Sequence, residues 1–269
     1  NRCIMSGQIL ILEKNKLDIS DPVVTLTASE AQEFADFVRN RLNSSGWATT
    51  GSLDANNTTF EVDFANAVDL DFISLVGHNF KVYQIKYWNG ASYVNFSTAI
   101  NETTNAATTT FHEFTKVTTT KIKLTIYGTF TADEDKFLAQ FIATQKIGRL
   151  NGWPTIKDPK LSRDRISTKM LSGKVSIKEQ IGNFSCKLDI KVYSDNGDLT
   201  VFEKMYMSHE GFLVLLSGGV ETQFSSVRIG YRNQDFYLMK CSDELTPEWY
   251  KGFYTSGQVV NIDLKEVID

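Results

Sequence analysis

The residues able to do chemistry are few. His78, His112 and His209 are the only histidines, and none sits in an HExxH or HxH pattern or close to a cysteine, so the ligand spacing of a zinc site is missing. His112 is followed by Glu113, but neighbours on a strand point to opposite faces, which separates imidazole from carboxylate. No GxSxG elbow is present to make a serine nucleophile, and no GxGxxG or GxxxxGK[ST] loop to cradle phosphate. A glycosidase needs two carboxylates brought together in space, and the 32 Asp and Glu residues single out no pair. The expected catalytic set is empty, with no cofactor and no metal. Asp54 and Asn56 share a loop, but they supply two of the six to eight oxygens that calcium takes.

Aromatic residues are the stronger signal. Trp47, Trp88, Trp153 and Trp249 each offer an apolar face to the C–H side of a sugar ring, against the ordinary role of a tryptophan in core or hairpin packing. Trp47 and Trp249 are expected to pack. Trp88 precedes Asn89-Gly90 and lies near Tyr93, and hairpin tips are exposed to ligands. Trp88, Asn89 and Tyr93 are therefore the candidate carbohydrate-binding residues.

These residues have to be held by strands. Phe60, Val62 and Phe64 alternate with Thr59, Glu61 and Asp63, and Ile122, Leu124 and Ile126 with Lys121, Lys123 and Thr125, the period of half-buried antiparallel strands. Phe72 to Val76 and Lys81 to Trp88 read as strands between them, the second closed by a two-residue Asn89-Gly90 turn with Tyr93 to Phe96 returning. Gln8 to Leu12 is a further strand. Thr27-Ala28-Ser29-Glu30 has the form of a capping box ahead of a short helix carrying Phe34, Phe37, Val38 and Leu42. Thr98 to Thr110 reads as a polar loop, and Phe137 to Leu150 suits a strand or a helix, with the strand preferred.

Composition shifts near residues 135 to 155 place a boundary that gives 1–135 and 136–269 as two domains. The second half has strands at Lys174 to Ile177, Phe184 to Val192, Phe212 to Leu216, Val227 to Tyr231, Asp235 to Cys241 and Val259 to Leu264. It has one helix, Leu199 to Ser208, with Asp198 as its N-cap. The fold class expected is mainly β, with a single short helix in the second domain.

Composition excludes several functions. A chain of 269 residues with 12% aromatics and a net charge of −4 folds into about two domains, and it has no basic stripe for nucleic acid. No apolar run approaches the ~20 residues of a membrane helix. Cys3, Cys186 and Cys241 are too scattered for a disulfide framework and are expected as reduced thiols, at least two of them core-facing. The absence of a signal peptide pattern points to folding in a cytoplasm.

The run Trp47-Ala-Thr-Thr-Gly-Ser, then Thr59-Phe-Glu-Val-Asp-Phe, Asp71-Phe-Ile-Ser-Leu-Val-Gly-His-Asn-Phe and Tyr83-Gln-Ile-Lys-Tyr-Trp-Asn-Gly resembles the galactose-binding-like (discoidin, coagulation-factor C-type) jelly roll over roughly residues 40 to 128. Its Leu-Val-Gly-His-Asn wording is similar to versions carried by bacteriophage tail proteins. Tyr231-Arg-Asn-Gln-Asp-Phe-Tyr-Leu-Met-Lys and Val259-Val-Asn-Ile-Asp-Leu-Lys-Glu-Val resemble the β-domains of tail-tip and distal-tail proteins. The resemblance implies a galactose-binding-like sandwich followed by a β-rich assembly domain. It also implies a non-enzymatic subunit of a phage tail tip or baseplate, a homo-oligomeric ring that meets other tail proteins in the virion after assembly in the host cytoplasm. Contact with host-surface glycan is the further implied role; a carbohydrate-binding module or adhesin of a larger complex is the alternative, and a glycan-degrading enzyme the third reading.

Overall fold

The structure is a computed structural model and describes residues 9–19, 23–41, 44–150, 155–169, 175–192, 197–208, 211–215, 236–241, 246–251 and 256–267. The fold is mainly β, with two eight-stranded sheets. The chain divides into two units: Lys14–Lys146, and Asn1–Glu13 together with Ile147–Asp269.

This division differs from the expected 1–135 and 136–269. The N-terminal strand β1 (Ile9–Glu13) pairs with the strand Phe212–Leu215 of the second unit, Leu10 opposite Leu215 and Leu12 opposite Leu213. Strand Phe137–Thr144, expected in the second domain, pairs with a strand of the first. Both segments are buried on both faces. A continuous apolar run shows that a strand is interior without showing which sheet receives it.

In the unit Lys14–Lys146 the strands are β2 (Val24–Ala28), β3 (Trp47–Ala48), β4 (Thr58–His78), β5 (Phe80–Trp88), β6 (Tyr93–Val94), β7 (Ile100–Glu102), β8 (Thr110–Thr129) and β9 (Phe137–Thr144). The sheet runs β3-β9-β4-β8-β5-β6, with β2 added to β4 and β7 to β5. The two separate strands expected at Phe60 and Phe72 are one, β4, which pairs with β2 and β8 in its first part and with β9 and β8 in its second. Between the pairs Asp63–Lys121 and Val68–Thr119, β4 carries four residues against one on β8. A bulge of that size bends the ladder and folds the sheet into two layers. Phe60, Val62, Ile122, Leu124 and Ile126 from the first layer share a core with Leu70, Ile73, Leu75 and Phe141 from the second. This is the jelly-roll type of sandwich expected for the first half.

The expected helix is a 3-10 helix, Gln32–Arg39, that packs against β2, β3 and β9. The capping box is not formed, because Thr27 and Ala28 belong to β2. Ser29 Oγ instead accepts the Thr59 amide at 2.9 Å, and Glu30 accepts the Thr58 hydroxyl at 2.9 Å. Gln32 ties the helix back, its Oε1 accepting from Ala28 N and its Nε2 donating to Leu26 O. Val38 is buried, whereas Phe34 and Phe37 stack on each other in solvent; Leu42 lies outside the described residues. The stretch read as a polar loop, Thr98 to Thr110, includes the short strand β7, whose Ile100 joins the core.

In the other unit the strands are β1, β10 (Lys146–Leu150), β11 (Thr155–Lys169), β12 (Val175–Val192), β13 (Phe212–Leu215), β14 (Phe236–Cys241), β15 (Thr246–Lys251) and β16 (Ser256–Glu266), with helix α1 (Asp198–Met207). Their order is β10-β1-β13-β14-β16-β12-β11, with β15 added to β16. The first unit is therefore inserted in sequence between β1 and β10, which are neighbours in this sheet. Ile9, Ile11, Phe184, Phe202, Met205, Phe212 and Ile262 share its core. Gly197, at φ 75, is the N-cap of α1 in place of the expected Asp198, which is the helix's first residue. Only glycine takes that left-handed backbone without strain. Cys186 and Cys241 are free thiols, and burial pushes them up to about 12 and about 11. Val227 to Tyr231, Cys3, Trp153 and His209 lie outside the described residues.

Candidate functional site

Residues directly opposite each other on antiparallel strands share a face. On the first layer of the inserted unit, Tyr83 and Ile85 are buried, so Gln84, Lys86 and Trp88 of β5 face outward. The register sets Trp88 opposite Tyr93, Lys86 opposite Lys123, Gln84 opposite Asn101 and Thr125, Glu61 opposite Lys123, and Asp63 opposite Lys121. A single outer face thus carries two large aromatic rings, three lysines, two carboxylates and a row of amides and hydroxyls.

Trp88 and Tyr93 meet edge to face, with centroids 5.2 Å apart and planes at 66°. Both rings are half-buried. The ammonium of Lys123 stands 5.3 Å from the centre of the Tyr93 ring, within cation–π range. The Tyr93 hydroxyl is pushed up by burial and by the Glu61 carboxylate beside it, with Asp63 adding to the effect, so it stays protonated. Asp63 is bound by Lys121. Gln84 Nε2 donates to Asn95 Oδ1 at 3.5 Å. Thr119, buried at the bulge, donates its hydroxyl to Trp88 O at 2.7 Å and accepts the Lys121 amide at 3.1 Å. The bend in the sheet is therefore what fixes the end of β5.

The turn next to the rings is longer than expected. Trp88 pairs with Tyr93, which leaves the four residues Asn89 to Ser92 in the loop, closed by Asn89 N donating to Ser92 O at 3.1 Å. Gly90 has φ 100 and Asn89 is not in the left-handed region. Asn89 acts through its side chain, whose Oδ1 accepts the Ala91 and Ser92 amides at 3.0 and 2.9 Å. Of the three residues singled out by sequence, Trp88 and Tyr93 meet directly and Asn89 shapes the loop that joins them. Gln84, Lys86, Lys123 and Asn95 share this face without having been singled out; their signal was the alternation of β5 and β8, which locates the core and the outer face alike.

Trp47 packs as expected. Trp47 is fully buried against Phe60, and its indole N–H donates to Glu30 O at 3.0 Å. The backbone of Trp249 lies in β15, opposite Gln258.

Two further polar clusters are closed upon themselves. His78 and His112, far apart in sequence, are joined through Tyr83 and Thr110. Phe80 N donates to His78 Nδ1 at 3.0 Å, so the ring proton sits on Nε2 and points to Thr110 Oγ1 at 3.3 Å. The Tyr83 hydroxyl is 2.9 Å from both Thr110 Oγ1 and His112 Nε2. Burial pulls His78 down to about 3 and His112 down to about 4, and burial pushes Tyr83 up. The chain of four is neutral and internally satisfied. Glu113 points away from it to Lys146, at 3.0 Å.

In the loops around Asp54, one carboxylate oxygen accepts the Thr129 amide and hydroxyl at 3.2 and 3.1 Å, and the other accepts the Asp133 amide at 3.3 Å. Asp135 Oδ1 accepts the Ser52 amide at 3.2 Å. The cation at this end is the chain's own: Lys136, fully buried, donates through Nζ to Ser52 Oγ and Leu53 O. Among the described residues no group of three or more His, Cys, Asp and Glu is placed to hold a metal.

No family model matches the sequence, and no curated protein does. Solved structures with similar strand arrangement include chitosan-binding module 1 of a chitosanase/glucanase from Paenibacillus sp. IK-5, with TM-score 0.40 and 17% identity, covering 49% of this chain and 98% of that one. A CBM32 module of Clostridium perfringens in complex with GalNAc-β-1,3-galactose has TM-score 0.38 and 11% identity, covering 45% of this chain and 94% of its own. A GH29 fucosidase of Ruminococcus gnavus in complex with fucose has TM-score 0.38 and 18% identity over 49% of this chain and 27% of the enzyme.

Proposed function

We propose that the inserted unit is a non-catalytic carbohydrate-binding module whose site is the outer face centred on Trp88 and Tyr93. The observation that carries this reading is the half-buried, edge-to-face aromatic pair, held by the Thr119 anchor and the Asn89 loop and set in a row of amides and hydroxyls. Aromatic faces take the apolar side of a sugar ring, and neighbouring amides and hydroxyls take its hydroxyl groups. Titration against a glycan panel tests it. Trp88→Ala is expected to weaken binding by about tenfold or more while the melting temperature stays near that of the parent. Unchanged binding in this variant removes the site.

A second reading, carried over from the sequence resemblance, is a structural subunit of a virion tail that assembles as a ring with other tail proteins. The observation in its favour is the edge strand β11. From Arg163 to Lys169 it pairs only with β12, and β12 from Val175 to Ile181 pairs with nothing else among the described residues. A two-stranded ribbon is marginal by itself, and open edges invite pairing with a neighbouring subunit. Light scattering at tens of micromolar is expected to show a closed oligomer; a strict monomer overturns the ring.

A further inference from the structure

Lys86 and Lys123 are directly opposite each other on β5 and β8, and like charges so placed repel. The two carboxylates on this face lie on β4, across β8 from β5. Asp63 is engaged by Lys121, and Glu61 stands by the Tyr93 hydroxyl. Lys123 is held over the Tyr93 ring, and Lys86, two residues before Trp88, has no acidic partner among the described residues. The inserted unit as a whole has 11 Lys and Arg against 15 Asp and Glu, a net charge of −4. Around the aromatic pair the sign reverses: Lys86, Lys121 and Lys123 against Glu61 and Asp63 give +1. Lys123 has Glu61 directly opposite on its other side, which leaves Lys86 as the lysine without an opposite charge beside the rings, on a unit that is otherwise acidic, and an anion bound there would relieve its repulsion from Lys123.

We infer that the ligand is an anionic glycan, and that a carboxylate or sulfate substituent sits between Lys86 and Lys123 while its sugar ring lies against Trp88. This rests on the carbohydrate-binding reading and narrows it from sugars at large to acidic sugars. Charge-assisted bonds from two ammonium groups supply both the selectivity and a dependence on salt.

The test uses the full chain and pairs of ligands that share a backbone and differ in charge: polygalacturonate and its methyl ester, dextran sulfate and dextran, sialyllactose and lactose. The acidic member of at least one pair is expected to bind about tenfold more tightly than its neutral partner, and Lys86→Gln to remove most of that margin. Lys86 is half-exposed, so the variant should melt with the parent. Equal binding of charged and neutral members, still lost on Trp88→Ala, overturns the acidic ligand and leaves the carbohydrate site standing. Acidic binding that survives Trp88→Ala and fades with salt alone is polyelectrolyte attraction and overturns both. Binding of no glycan at all also overturns both.

Discussion

The loops around Lys136 and the outer face around Trp88 belong to the same sandwich and are both rich in polar groups, yet they treat those groups in opposite ways. Around Lys136 the chain answers itself: the ammonium is spent on Ser52 and Leu53, and the Asp54 oxygens on Thr129 and Asp133. Around Trp88 the backbone is equally well anchored, but Lys86 and the Asn101 side chain are left facing water. Buried polar groups must be satisfied internally because an unmet one costs about 1–3 kcal/mol. Exposed ones are under no such constraint and are free to be used by a ligand. Position relative to solvent, more than residue type, separates the polar groups the fold consumes from those it leaves available here.

The largest effect is expected where the network is closed. Lys136→Met keeps most of the side-chain volume and removes the buried donor, leaving Ser52 Oγ and Leu53 O without it. The expected loss is about 2–4 kcal/mol, visible as a lower urea midpoint at unchanged slope. Since no group of three or more metal-ligating residues is assembled among the described residues, added calcium should leave the melting temperature of the parent where it was. A loss under about 0.5 kcal/mol, the range of ordinary surface substitutions, would erase the distinction between the two regions.

How far the sequence foretold this division depends on the range of the interaction involved. The alternation of Phe60, Val62 and Phe64 and of Ile122, Leu124 and Ile126 located the core faces correctly, because a period of two is a local property of a strand. The aromatic pair was legible for the same reason, since a hairpin keeps Trp88 and Tyr93 close in sequence. What was not legible is non-local. The bulge that makes β4 one bent strand depends on pairing with β8, some fifty residues away. The His78 to His112 link needs Tyr83 from a third strand, and β1 and β9 gave no sign of which sheet would take them. The capping box failed for a related reason: Thr27 and Ala28 had stronger partners across the ladder in β4 than any helix end offered.

The smaller effect of a single substitution comes from the second closed network and shows itself only in acid. Folded His78 and His112 sit near 3 and 4, below the ordinary value of 6.5. Between those values the unfolded chain binds protons that the folded chain refuses, so stability is complete above about pH 7.5 and falls as the pH drops through 6.5. Each imidazole adds a slope of about 1.4 kcal/mol per pH unit. His112→Gln should remove one of the two titrations, and with it about half of the slope, when urea midpoints are compared between pH 7.5 and 5. The Trp88 face contains no histidine, so glycan affinity measured well below the melting temperature should stay level over the interval in which stability declines. A flat stability profile, or affinity falling in step with stability, would mean that the closed and open regions are not separate in their energetics.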